Sequence, residues 1–292
     1  MFERRSVTAV ALVAATAVAI GTLSGCAAMR GAKVDAGANL EYRMAKAVPV
    51  TYSNSQIASQ AMEMMGQTMN VETVRSMVFT LVPGKADKGK QALTVKIDSL
   101  EARMTTPQGA FTADTAPAVG KTFEMALTAA GKETDIVGAD LIQYNLGTAG
   151  QRSVKPDFQA IFPDLAGRPL QVGDIWTAAD TVKTEDGGMA VTVMTQYVHT
   201  LAGFEEIGGM RCGRITTLTT GTVTGAGTQQ GAQVALEAAT EGADTWFFAA
   251  DLGLLVKLTS ETRITGTVTV GGQGGMKIPT KQQMTTEMAL VR

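Results

Sequence analysis

The sequence predicts a mostly β fold: antiparallel meanders in two similar halves, built as a sandwich or half-barrel, with a short helical connector between them. Three observations point there. Apolar and polar residues alternate with period two through most of the chain. Glycine-bearing turns such as "AAGK", "TEDGG", "EIGG" and "DLGL" separate the alternating runs. One stretch alone, "KPDFQAIFPDLAGRPL", carries helix signals, with Asp157 placed as a cap and Pro163 as a stop.

Taken in order, the folded part is expected to begin near Leu40. "QIASQAMEMMGQTM" has apolar residues at helical spacing, but Met62 and Met64 also alternate about Glu63, which favours a strand pair turning at Gly66. Leu93, Val95 and Ile97 alternate with Thr94, Lys96 and Asp98, and Phe123, Met125 and Leu127 with Glu124, Ala126 and Thr128. After the connector, Val191, Val193, Thr195 and Tyr197 share one face. Ile264, Gly266, Val268 and Val270 share another, and Met284, Thr286, Met288 and Leu290 form the last. Apolar residues on one side and threonine or charge on the other describe antiparallel sheet with one wet face.

The two halves, 40–150 and 169–292, share local grammar. "PAVGKTF" and "PLQVGDIW" each place a proline before Val-Gly, a charged residue, a spacer and an aromatic. "FEMALTAAGKETDIV" and "WFFAADLGLLVKLT" each lead with an aromatic strand, turn at glycine and continue in a second strand. If the repeat is a true duplication, each half is a meander and the two share one core; hairpin grammar arising twice is the alternative. This layout looks like a group of uncharacterised, mostly β, bacterial envelope proteins, a resemblance that brings no activity with it.

The first 25 residues, "MFERRSVTAVALVAATAVAIGTLSG", have the basic start and apolar middle of an export signal. The run from Val7 to Ile20 is shorter than the roughly 20 residues that a spanning helix needs. Leu23, Ser24, Gly25 and Cys26 then resemble the lipobox of bacterial lipoproteins at all four positions. The resemblance implies a diacylglyceryl group on the Cys26 thiol, cleavage after Gly25 and acylation of the new amino terminus. Ala27 and Ala28, with no Asp behind the cysteine, imply passage to the outer membrane, facing the periplasm. Two or three acyl chains hold a protein on a bilayer where one gives only marginal binding. Residues 26–39, small and polar, read as a linker to a β-rich domain at 40–292.

Composition narrows function mainly by exclusion. Removing the signal takes away two arginines and one glutamate, so the net charge moves from −2 to about −3. No basic tract offers itself to nucleic acid. With Cys26 committed to lipid, Cys212 reads as a buried small hydrophobe. His199, the single histidine, reads as a strand-end residue before the loop "LAGFEE", with no G-x-S-x-G partner motif. One histidine and one further cysteine are too few for a structural zinc site, and no cofactor is expected. "GKADKGKQ" imitates a phosphate loop, but Gln91 stands where Ser or Thr is needed, so it reads as a solvated hairpin. "GGQGG" likewise joins two strands. Glu205 and Glu206, neighbours in an expected turn, point apart and make no glycosidase pair.

The unusual component is methionine, 16 residues against 5% aromatics. Methionine fills irregular cores and also lines adaptable apolar pockets. The expected role is therefore non-catalytic work in the envelope. In one reading it is binding an apolar or lipid ligand on a concave face that includes Met64, Met77, Phe79, Met125 and Val193. The alternative is a structural or protein-interaction module, and a hydrolase is less supported. Replacing Cys26 by Ser should leave an uncleaved precursor whose mass carries no acyl groups. Full processing of that variant would overturn the lipobox reading.

Overall fold

Alternation turns into strand almost everywhere that it occurs. A computed structural model describes residues 37–64, 66–147, 150–186, 189–229, 232–271 and 275–291, all within a compact unit spanning 35–292. Cys26, the signal segment and the linker as far as residue 36 lie outside the described residues. The strands are β1 (Val50–Met64), β2 (Gln67–Asp87), β3 (Lys90–Thr106), β4 (Gly109–Thr112), β5 (Thr122–Thr128) and β6 (Glu133–Val137). A small ribbon of β7 (Gln143–Asn145) and β8 (Gln151–Ser153) follows. The second series is β9 (Ile175–Asp186), β10 (Met189–Ile207), β11 (Met210–Gln229), β12 (Ala232–Ala249), β13 (Leu254–Val270) and β14 (Met276–Val291).

Among the described residues, twelve strands form one antiparallel sheet in the order β6-β5-β3-β2-β1-β14-β13-β12-β11-β10-β9, with β4 paired to β3. Two meanders thus lie side by side and join where β1 pairs with β14. The stretch around Gly66 is the β1–β2 hairpin, with Met64 opposite Gln67, so alternation and not helical spacing decided it. Ala38, expected in the linker, already pairs with Leu170, and Leu40 behind it is fully buried.

The sheet curls toward one face for two local reasons. Glycine replaces larger residues at inward positions where backbones crowd: a Cβ on Gly221 would lie 2.2 Å from the Met194 carbonyl oxygen, and one on Gly266 2.3 Å from the Ala238 Cβ. Bulges add twist where the register slips beside Phe79, Leu201 and Phe248. All three of those side chains are fully buried, so the extra bend falls at the end of the sheet that holds the core.

The connector fills that end. Its helical content is a single 3₁₀ turn, Lys155–Phe158, preceded by Val154, so Asp157 lies inside the turn and does not cap it. The reason is its partner, because the Asp157 carboxylate is paired with the Arg75 guanidinium of β2. Phe158 packs edge-on against Phe79 and Phe123, with ring centroids 5.1 and 4.8 Å away. Phe162 meets Tyr42 and Tyr52 at 5.5 and 5.6 Å. The tyrosine hydroxyls are not stranded there: Tyr42 donates to the Pro163 carbonyl and Tyr52 to that of Leu255.

The two similar motifs build the same local structure. In "PAVGKTF" the Gly120 N–H donates to Ile97 O and the Ile97 N–H to Lys121 O. In "PLQVGDIW" the Gly173 N–H donates to Leu201 O and the Leu201 N–H to Asp174 O. The strands they open occupy different places in the meanders, since β5 pairs with the preceding β3 and β9 with the following β10.

Both sheet edges meet the connector. On the β6 side the Phe162 N–H donates to the Glu133 carboxylate at 2.7 Å and the Leu165 N–H to Ala130 O at 2.7 Å. On the β9 side the Trp176 indole donates to Asp164 O at 2.9 Å. Lys132, just before β6, spans the gap to Asp164 at 2.6 Å, Asp180 at 2.5 Å and the Ala179 carbonyl at 3.1 Å. Lys132→Met should therefore lower stability by about 1–3 kcal/mol, above an exposed pair because Asp164 is buried and loses its cation. A urea midpoint unchanged by the substitution would show that the lysine does not hold the edges.

Candidate functional site

A cavity of about 450 Å³ opens on the concave side of the sheet, bounded by strands β1, β2 and β9–β14 and by the connector. Its wall is graded along the strand direction because each step of two residues moves one row down the same face. The row nearest the core includes Leu201, Ile215, Trp246, Leu258, Met288 and Met77, with Asn54 among them.

The next row is polar across seven strands. His199 on β10 stands opposite Thr217, which stands opposite Asp244 and then Ser260. Ser260 faces Thr286, which faces Gln56, and Gln56 faces Arg75. All seven line the cavity. Farther along, the wall turns apolar again through Ile264, Val193 and Val223. Threonine suits such a belt, because its branched Cβ favours strand while its hydroxyl answers neighbouring polar groups.

His199 is only 2% exposed and sits in the middle of β10, which continues past a bulge between Leu201 and Gly203 to Ile207. The expected loop "LAGFEE" is thus strand. Glu205 and Glu206 lie in it opposite Cys212 and Arg211, and as strand neighbours they point to opposite faces. The His199 Nδ1 lies 2.8 Å from the Thr217 hydroxyl oxygen, which also accepts from the Trp246 indole at 2.9 Å. Three rings surround the imidazole, Trp176 at 5.1 Å, Tyr197 at 5.8 Å and Trp246 at 5.9 Å. Its Nε2 has no hydrogen-bond partner among the described residues. Neither have Asn54 Oδ1 and Asp157 Oδ2, on residues that line the same cavity.

Charge on this wall is predominantly negative. Asp157, Asp164, Asp180 and Asp244 line the cavity, against the cations Arg75 and Lys132 that pair with the first three. Among the described residues Asp244 is held by hydroxyls only, those of Ser260 and Thr219, and burial raises its carboxyl above the ordinary range. Burial likewise raises Asp164 in spite of Lys132 and pushes Glu133 up to about 8. No cluster able to hold a metal ion occurs among the described residues.

The sequence-predicted ligand residues divide. Met77 and Val193 line the cavity. Phe79 is fully buried against Tyr52 and Phe158, and Met125 is buried on β5 away from the cavity wall. Met64 ends β1 at the hairpin tip, and its side chain lies outside the described residues. Cys212 is fully buried beside Ala249 and Val256. Sequence reasoning missed Asp244 and Thr217. The signal was present: in "EGADTWFF" Asp244 shares the inward parity of Trp246 and Phe248, a charge on the apolar side of a strand.

No family model matches the chain, and no curated protein matches it. Among solved structures it is similar to an outer-membrane channel from Pseudomonas putida F1, at 8% identity and a TM-score of 0.27, over 86% of this chain and 98% of that one. A protein of YmcC-like fold from Bacteroides fragilis NCTC 9343 gives 8% identity and a TM-score of 0.26, over 87% and 98%. A DUF1329 family protein from Desulfovibrio piger gives 12% identity and a TM-score of 0.18, over 81% and 83%. Superpositions this loose say nothing about what the chain binds or where it resides.

Burial lowers the His199 imidazole from about 6.5 to about 4, the nearby Lys132 adding to this and Asp180 opposing it. The folded state then binds fewer protons than the unfolded chain between those values, so stability present above pH 6.5 is lost as the pH falls toward 4. Because the sequence has one histidine, imidazole NMR of tag-free protein reads it directly. An ordinary titration near 6.5 would contradict the buried, neutral state.

Proposed function

We propose that this chain is a lipid-anchored protein of the bacterial envelope that binds an apolar ligand in the cavity of its curled sheet and catalyses no reaction. The anchor rests on the lipobox at Cys26, which also supports the envelope location. Binding rests on the cavity, whose volume of about 450 Å³ falls within the roughly 300–1,000 Å³ of small-molecule sites. Its walls set apolar residues such as Met77, Leu258, Met288, Val193, Val223 and Ile264 on either side of the polar row.

Three of the four acids on the cavity wall, Asp157, Asp164 and Asp180, are held in ion pairs.

Protein lacking residues 1–26, a cut outside the compact unit at 35–292, should carry extractable lipid or bind a fluorescent fatty-chain probe. Val193→Trp, which places a bulky ring in the cavity, should weaken that binding about 10-fold or more. A protein that carries no lipid and takes up no probe would end the proposal.

A further inference from the structure

We infer that the cavity takes a single-chain amphiphile with a cationic head, the head seated at Asp244 and the tail lying along the apolar rows toward the opening. This rests on the apolar-ligand reading above and specifies the ligand's chemistry.

The first support is charge. Four carboxylates line the cavity, and three of them already hold Arg75 or Lys132. Asp244 is left with hydroxyl partners among the described residues. A carboxylate partly withdrawn from water and without a cation is costly, and a cationic guest supplies the missing charge.

The second is what surrounds it. Trp246 lies two residues farther along the same face of β12, and Tyr197 lies one row along toward the opening on β10, opposite Thr219, whose hydroxyl bonds Asp244. Both rings line the cavity. An acid that shares one cavity wall with two aromatic rings suits an ammonium group, which charge and ring quadrupole stabilise together.

The third is an independent polar group aimed at the same space. His199, 2% exposed and lining the cavity, has an Nε2 without a partner among the described residues. Buried polar atoms in native proteins are nearly always satisfied, by protein, water or ligand. A polar head at this depth satisfies it, and a purely hydrocarbon guest does not.

Length and gradient supply the tail. From Asp244 to Ala238 the inner face of β12 runs about 20 Å at roughly 3.3 Å per residue. Alongside lie Val193, Val223 and Ile264.

The test uses the chain lacking residues 1–26 and three probes with the same tail: dodecylammonium, whose N–H groups can donate to the His199 imidazole, dodecanol and dodecanoate. Both tryptophans of the chain sit beside His199, so their fluorescence reports occupancy. Below micelle-forming concentrations the ammonium should bind about 10-fold tighter than the alcohol, a difference of about 1.4 kcal/mol, and the carboxylate weakest. Asp244→Asn should bring the ammonium to within about 2-fold of the alcohol and leave the alcohol unchanged. The alcohol doubles as the folding control, and if the variant does not fold, the three-probe ranking on the unaltered protein decides. Equal affinities, or carboxylate tightest, would overturn the cationic head while leaving the apolar cavity standing. No binding of any probe would remove both.

Discussion

Eleven residues of connector, 155–165, stand between the two free edges of the sheet, and the link between those edges depends on them. Backbone donors from Phe162 and Leu165 engage the β6 side. The Trp176 indole engages the connector from β9, and Lys132 reaches across from one edge to the other. Open edges with unpaired backbone groups invite pairing with other chains. Here a non-strand segment occupies the gap, its own backbone groups bonded to Glu133, Ala130 and Trp176 while Lys132 covers the Ala179 carbonyl. Because this plug is aromatic, the same residues that hold the edges also make the core, and Phe158 and Phe162 join strands from both meanders.

Below the plug no described residue fills the concave side of the sheet, and the inward residues change accordingly. Large apolar side chains would collapse on one another, while glycine at 221 and 266 lets backbones approach and threonine keeps strand geometry with a hydroxyl to offer. The result is a wall with a polar row set between two apolar zones. A buried polar row costs free energy unless its groups are answered. His199, Thr217 and Trp246 answer one another in part, and the Asp244 carboxylate takes hydroxyls from two neighbouring strands. The atoms left over, His199 Nε2, Asn54 Oδ1 and Asp157 Oδ2, belong to residues that line one cavity.

Much of this was legible in the sequence, and the reasons for success and failure are physical. Period two named the faces of β3, β5, β10, β13 and β14 because each has one apolar and one polar side. The hairpin at Gly66 was readable because Glu63 between two methionines suits a strand better than a helix. Asp157 was misplaced because its partner, Arg75, is 82 positions away and capping rules see only neighbours. His199 was misjudged as a strand end because the bulge after Leu201 hides the continuation of β10 behind a glycine. Phe79 and Met125 were assigned to the ligand face because sequence gives a residue's side of the sheet and not its depth along it. That depth is set by the connector, which covers Phe79 and leaves Met77, two residues away, on the cavity wall. The two similar motifs each deliver a reciprocal hydrogen-bond pair. Their strands sit at different points of the meanders.

The junction of β1 with β14 has a consequence for assembly. Strand Val50–Met64 is made early in synthesis, yet one of its flanks stays open until Met276–Val291 arrives, more than 200 positions later in the numbering. Each meander can zip up from local hairpins, but the contact that joins them is among the most distant in the chain, and such pairings form slowly because loop closure comes first. Until then the nascent protein is two separate sheets, each with an exposed edge at β1 or β14. The interval between making the first strand and making the last is therefore when this chain is most open to pairing with the wrong partner.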